Sequence, residues 1–156
     1  MARRIGNYDR ETSTPAMNKI YDFLNAELPD YITAGYSLVV NGREYDVVLL
    51  VPHLGVFLLE IKGGRLQYAD GQYLLVSPSG HVRRFEPLRT RKAKKDFLQY
   101  LFDTFHVSPF VYEINCFPKI SRADGLPIDP ELEDHFMTAE DFKDGQAFMT
   151  KIYRYY

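Results

Sequence analysis

Two nearly continuous apolar runs joined by a short turn constrain this chain more than any other feature. Glu44-Tyr45-Asp46-Val47-Val48-Leu49-Leu50-Val51 and Val56-Phe57-Leu58-Leu59-Glu60-Ile61-Lys62 are β-branched and aromatic runs on either side of Pro52-His53-Leu54-Gly55. Such a sequence predicts a β-hairpin, with turn formers at its tip. Continuous apolar character, rather than alternation with polar residues, predicts strands covered on both faces. Charge is out of place there, yet the ends of the two strands carry Asp46, Glu60 and Lys62.

With a three-residue loop, Val51 faces Gly55, and counting inward sets Asp46 opposite Glu60 and Glu44 opposite Lys62. Opposed residues share a face and side chains alternate, so this register gathers Glu44, Asp46, Glu60 and Lys62 into one cluster. A slip of one residue would disperse it. Two carboxylates about 5 Å apart at Cβ repel, and they coexist most easily around a hard divalent cation such as Mg2+. Lys62 is then placed to orient or deprotonate a water. The plainer alternative is a structural ion-pair cluster, in which Asp46 pairs with Lys62 and Glu60 with Lys62 or Arg43.

Charge is segregated further along the chain. Between Arg83 and Lys95 seven basic residues stand against one acid, Glu86, a net of +6, so the rest carries −8 of the overall −2. A basic run of this kind is either a solvated helix face or an electrostatic footprint for a polyanion. Beside a carboxylate cluster of metal-binding type, a phosphodiester backbone is the matching partner, because arginine and lysine position phosphates.

At 156 residues, 46% hydrophobic and 15% aromatic, the chain fits one ordered domain spanning 1–156. The single cysteine, Cys116, excludes an internal disulfide and a cysteine-rich zinc site, and reads as a strand residue rather than a nucleophile. No apolar segment follows the basic start and no run reaches membrane-spanning length, so the cytoplasm and no membrane partner are expected.

Thr14-Pro15 opens a helix with a buried stripe of Ile20, Phe23, Leu24 and Leu28, ended by Pro29 and Asp30. Ile32 to Val40 reads as a strand, turned by Asn41-Gly42 into the hairpin. Arg65–Tyr68 and Gln72–Val76 form a second hairpin, and His81 to Phe85 adds a short strand. Pro87 opens the basic helix, with Phe97, Leu98, Leu101, Phe102 and Phe105 on its apolar side. Pro109 to Phe117 is a further strand, and Thr138 starts a last helix with an acid near N3. The order predicts an α/β fold, a mixed sheet with helices packed on it.

The D…ExK pattern on this hairpin, between two helices, resembles the active-site motif of the restriction-endonuclease-like PD-(D/E)XK superfamily. More narrowly, the chain resembles the nuclease-related domain (NERD) family. The matching stretches are Leu28-Pro29-Asp30-Tyr31, Glu44 to Leu49, Pro52 to Lys62 and Pro87-Leu88, within a core of about residues 12 to 145. The resemblance implies a restriction-endonuclease-like mixed central sheet flanked by helices. It also implies Mg2+- or Mn2+-dependent cleavage of phosphodiester bonds in DNA, or in RNA. Asp46, Glu60 and the Ile61 carbonyl would hold the metal, with Glu44 a further ligand, and Lys62 would orient the attacking water. Arg89, Arg91, Lys92 and Lys95 would hold the nucleic-acid backbone. In the family this domain is often joined to helicases, kinases or phage-defence proteins.

Two positions depart from the family pattern. Met17 stands where a glutamate of the first helix commonly helps to hold the metal, and Thr90 or a neighbour where the second helix often has glutamine. Glu44, two residues from Asp46, has a better geometric case than Glu11 to replace the missing acid. The departures open a second expectation, a catalytically degraded nuclease fold serving as a nucleic-acid-binding or regulatory module. A third is a protein-interaction domain without a nucleic-acid role.

Overall fold

The computed structural model describes residues 3–85, 91–128 and 130–155. Strand β1 (Arg3–Gly6) precedes helix α1 (Pro15–Glu27). Thr14 starts the helix by accepting the Met17 N–H at 3.2 Å, and Pro15 needs no donor of its own in the first turn. Leu28, ahead of Pro29, is already extended and closes it. Strands β2 (Thr33–Val40), β3 (Arg43–Val51) and β4 (Gly55–Ile61) then form an antiparallel meander.

A separate three-stranded antiparallel sheet follows, made of β5 (Arg65–Ala69), β6 (Gln72–Val76) and β7 (Val82–Phe85). Helix α2 (Arg91–Phe105) leads back to β8 (Val111–Cys116), which lies parallel to β4. A 3-10 turn (Arg122–Asp124), helix α3 (Pro130–Glu133), strand β9 (Phe136–Met137), a second 3-10 turn (Ala139–Phe142) and helix α4 (Gly145–Tyr153) complete the fold. The large sheet runs β1-β2-β3-β4-β8-β9 and is mixed, so the chain has the expected α/β class.

Both faces of the large sheet are covered. Met17, Ile20 and Leu24 of α1 and Phe148 and Ile152 of α4 pack on Ala34, Tyr36, Val47, Leu49, Phe57, Leu59, Ile114 and Cys116. On the other face Phe97 of α2 meets Tyr45, Val48, Val56, Leu58 and Val111. This accounts for the uninterrupted apolar character of β3 and β4, since each fully buried side chain of this kind contributes about 1.5–3 kcal/mol. The small sheet rests Leu66, Tyr73 and Leu75 on Phe117, Ile120 and Phe136.

Several elements differ from the sequence expectation. β1, α3 and β9 are too short to carry a periodic pattern. The expected last helix is two elements, because Asp144 accepts the Ala147 N–H at 2.8 Å and caps α4 separately from the turn that begins after Thr138. Phe102 and Phe105 are exposed, and the apolar residues of α2 packed on the sheet end at the half-buried Leu101. Pro87, Leu88, Arg89 and Thr90 lie outside the described residues. Among the described residues no helix is long and apolar enough to cross a membrane.

The C-terminal elements are tied together by charge. The Glu133 carboxylate lies 2.5 Å from the Arg122 guanidinium and 3.2 Å from the ammonium of Lys151, which is only 3% exposed. The hydrogen bond from Arg122 and the nearby Lys151 charge hold Glu133 down to about 2, against the opposing effect of burial. A folded value below the ordinary 4.5 stabilises the protein above about pH 4.5, and that stabilisation is lost as pH falls toward 2. Glu133→Gln is expected to cost on the order of 2–3 kcal/mol in urea unfolding at neutral pH, with a much smaller penalty at pH 2. An equal penalty at both pH values would contradict this account.

Candidate functional site

The hairpin turn positions the site. Val51 pairs with Gly55, and the ladder continues through Leu50↔Val56, Leu49↔Phe57 and Val48↔Leu58 to Val47↔Leu59, the register read from the sequence. Gly55 is required there: it has φ +140°, and a Cβ on it would stand 2.3 Å from the Phe110 carbonyl oxygen. This close approach lets Val56 N–H donate to that oxygen at 2.8 Å. From there β8 runs beside β4 with Glu60 next to Asn115.

Beyond Val47 the expected pairing changes. The Asp46 carboxylate reaches across and accepts the Ile61 N–H at 2.8 Å, so a side chain takes the place of a backbone partner. Ile61 thus meets Asp46 through its amide, whereas the resemblance points to its carbonyl. On the other side of β3, Tyr36 pairs with Val47 and Leu38 with Tyr45, which sets Ser37 against Asp46. Ser37 has φ +50°. Tyr36 and Val47 belong to the α1 face, but Leu38 and Tyr45 to the α2 face, so the pleat inverts at this point. Tyr45 is held on the α2 face by donating to the Ala93 carbonyl at 3.0 Å. Strict alternation, and with it the simple single-face cluster, does not survive the inversion.

The acids nevertheless converge. Glu44, Asp46, Glu60, Glu113 and Asn115 line one pocket of about 110 Å³, with Arg43 and Ala93 on its wall. Lys62 is outside the lining; its ammonium pairs with Glu60 at 2.7 Å. The ion-pair alternative therefore holds for Glu60 and Lys62, while Arg43 pairs with Asp96 at 3.3 Å. Burial pushes the Asp46 carboxyl above its usual range, Glu60 and Glu44 push the same way, and the Ile61 N–H and Lys62 oppose them. A pocket with Glu44, Asp46, Glu60 and Glu113 in its lining disfavours an anion that enters without a cation.

The basic helix borders this pocket. Ala93 lines it, and the flanking Lys92 and Lys95 are exposed. The Lys94 N–H donates to Glu113 at 2.7 Å, which fastens the first described turn of α2 to β8. Arg89 lies outside the described residues, and Arg91 is described only as the first residue of α2. Met17 is buried in the α1 core, 5% exposed, and contributes no acid. His53 is exposed in the hairpin turn and does not line the pocket. Glu11 is exposed ahead of α1 and does not line the pocket.

Glu113 and Asn115 were not among the residues singled out from the sequence. They alternate with Tyr112, Ile114 and Cys116, so two polar residues share one face of an otherwise apolar strand. That anomaly, the same one that marks Asp46 and Glu60, is the signal that could have found them. Asn115 is 1% exposed, and among the described residues its Oδ1 has no hydrogen-bond partner. An acceptor left in that state costs about 1–3 kcal/mol.

Among the described residues no three His, Cys, Asp or Glu side chains form a group that could hold a metal ion by themselves. The donor set facing the pocket is mixed: carboxylates from β3 and β4 and a carboxamide from β8. Hard divalent cations accept both kinds of oxygen, so the residues present fit Mg2+ or Mn2+. In comparisons with known proteins no family model matches the chain, and no curated protein and no solved structure matches it.

A carboxylate disfavoured by its surroundings weakens the fold when charged. The effect is absent below the ordinary value of 3.8 and sets in as pH rises through the raised folded value. Asp46→Asn, which can still accept the Ile61 N–H, is expected to be more stable than the parent at neutral pH by about 1 kcal/mol, a Tm rise of roughly 2–4 °C. The gain should vanish near pH 3. A loss of Tm at neutral pH would show that the Asp46 charge supports the fold.

Proposed function

We propose that this chain is a Mg2+- or Mn2+-dependent nuclease domain of the restriction-endonuclease-like, NERD-like type, cleaving phosphodiester bonds in DNA or RNA. The observation that carries the proposal is that Asp46 and Glu60 line one pocket rich in acidic residues whose wall includes Ala93 of the basic helix. The order α1, hairpin β3–β4, α2, β8 is compatible with it, since the resemblance implies a helix before the hairpin and a second one after it. An acidic pocket beside exposed Lys92 and Lys95 suits a substrate whose backbone is anionic and whose reacting phosphate is brought in by a cation.

Asp46 and Glu60 would hold the ion, with the Ile61 carbonyl and Glu44 as further oxygen donors. When bound, the ion supplies a polarised phosphoryl oxygen and a water of lowered pKa. The chain's own residues do the rest. The Ile61 N–H fixes the Asp46 carboxylate at 2.8 Å, so its orientation is set before substrate arrives. Lys62, whose ammonium lies 2.7 Å from Glu60, would orient a water and offset charge gathering on the phosphorane. Lys92 and Lys95, with Arg89 and Arg91, would grip the backbone without reading bases.

Met17 favours a second reading. With an apolar side chain where the resembling family has a metal-binding glutamate, the domain would bind nucleic acid as a regulatory or recruiting module of a larger assembly, such as one with a helicase, kinase or defence protein. Cleavage of plasmid and linear DNA with Mg2+ or Mn2+ separates the readings. The nuclease reading predicts cleavage that falls at least about 100-fold in Asp46→Ala and Lys62→Ala. Cleavage unchanged in both variants would sink the site assignment. No cleavage by the parent, together with salt-sensitive DNA binding lost in Lys92→Glu/Lys95→Glu, would select the binding module.

A further inference from the structure

Asn115 is the polar residue at the pocket that the fold itself leaves unexplained. Its backbone is engaged, since its N–H donates to the His135 carbonyl at 2.8 Å. Its side chain is 1% exposed, and among the described residues its Oδ1 has no donor. Neighbouring Glu113, by contrast, accepts the Lys94 N–H. An apolar residue would suit a core strand better, as Ile114 and Cys116 on the opposite face show. The parallel register sets Asn115 beside Glu60, and both line the pocket with Asp46.

We propose that the Asn115 carboxamide oxygen is the third side-chain ligand of the cation held by Asp46 and Glu60, supplied from β8 in place of an acid on α1. This rests on the cation-dependent reading above and names a ligand that the D…ExK pattern does not contain. The chemistry favours an amide here. Carboxamide oxygens are ordinary ligands of hard divalent ions. A neutral oxygen also adds no further negative charge to a pocket that already holds Glu44, Asp46, Glu60 and Glu113. The buried acceptor then has a partner whenever the ion is bound, and Met17 can remain in the apolar core.

The test is Mn2+ binding to the full chain, read by the loss of the free-ion electron paramagnetic resonance signal, with no nucleic acid present and folding checked by circular dichroism. Asn115→Leu is expected to weaken Mn2+ by about tenfold or more, and Asn115→Asp, which adds a charged oxygen at the same place, to tighten it by about tenfold. Asp46→Ala should abolish binding. If Asp46→Ala abolishes binding while both Asn115 variants match the parent, the Asn115 assignment is overturned and the cation-dependent reading stands. If the parent itself binds no Mn2+, that reading falls and the assignment with it. Should Asn115→Leu fail to fold, the nearly isosteric Asn115→Asp decides alone, and an unchanged affinity overturns the proposal.

Discussion

The hydrogen bond from Val56 N–H to the Phe110 carbonyl, 2.8 Å long and possible only because Gly55 carries no side chain, sets where β8 lies against the hairpin. Everything at the pocket depends on that placement. It brings Asn115 beside Glu60, and two residues earlier on β8 it brings Glu113 to the first described turn of α2. The basic helix is thereby anchored beside the acids by a hydrogen bond to one of them. Parallel strand and helix position thus follow from one close backbone approach.

The pocket is built at a cost to the fold. Asp46 is a largely buried carboxylate whose charge is disfavoured by burial and by Glu60 and Glu44. Ser37 adopts a left-handed conformation where the pleat inverts, and Asn115 keeps an oxygen without a partner among the described residues. Departures from local consistency gathered at one place are characteristic of functional sites rather than of scaffolding. The scaffold offsets them with a core covered on both faces and with the Arg122–Glu133–Lys151 network, whose charges are well satisfied.

The hairpin was legible because its signals are local: turn formers at Pro52 to Gly55 and unbroken apolar strands, from which the register follows by counting. The second hairpin, α1 and the strand containing Cys116 were legible for the same reason. What was not legible depends on contacts between distant segments. The pleat inversion at Ser37 and Asp46 comes from Tyr45 being claimed by Ala93 and Phe97 on α2, some fifty residues away in sequence. The shared face of Glu113 and Asn115 is visible in the sequence, but their place beside Glu60 needed the parallel pairing of β4 with β8, which no turn signal announces. Phe102 and Phe105 continue the helical apolar stripe, yet the residues of α2 packed on the sheet end at Leu101 and leave these two exposed.

The proposed function requires that this pocket, rather than any other part of the surface, take up a divalent cation. Anomalous diffraction from crystals soaked in Mn2+ tests it most directly, because the ion's position is read without reference to any activity. The account predicts a manganese peak within about 2.0–2.6 Å of oxygens of Asp46 and Glu60. A peak elsewhere with the pocket empty, or no peak at millimolar Mn2+, would contradict it.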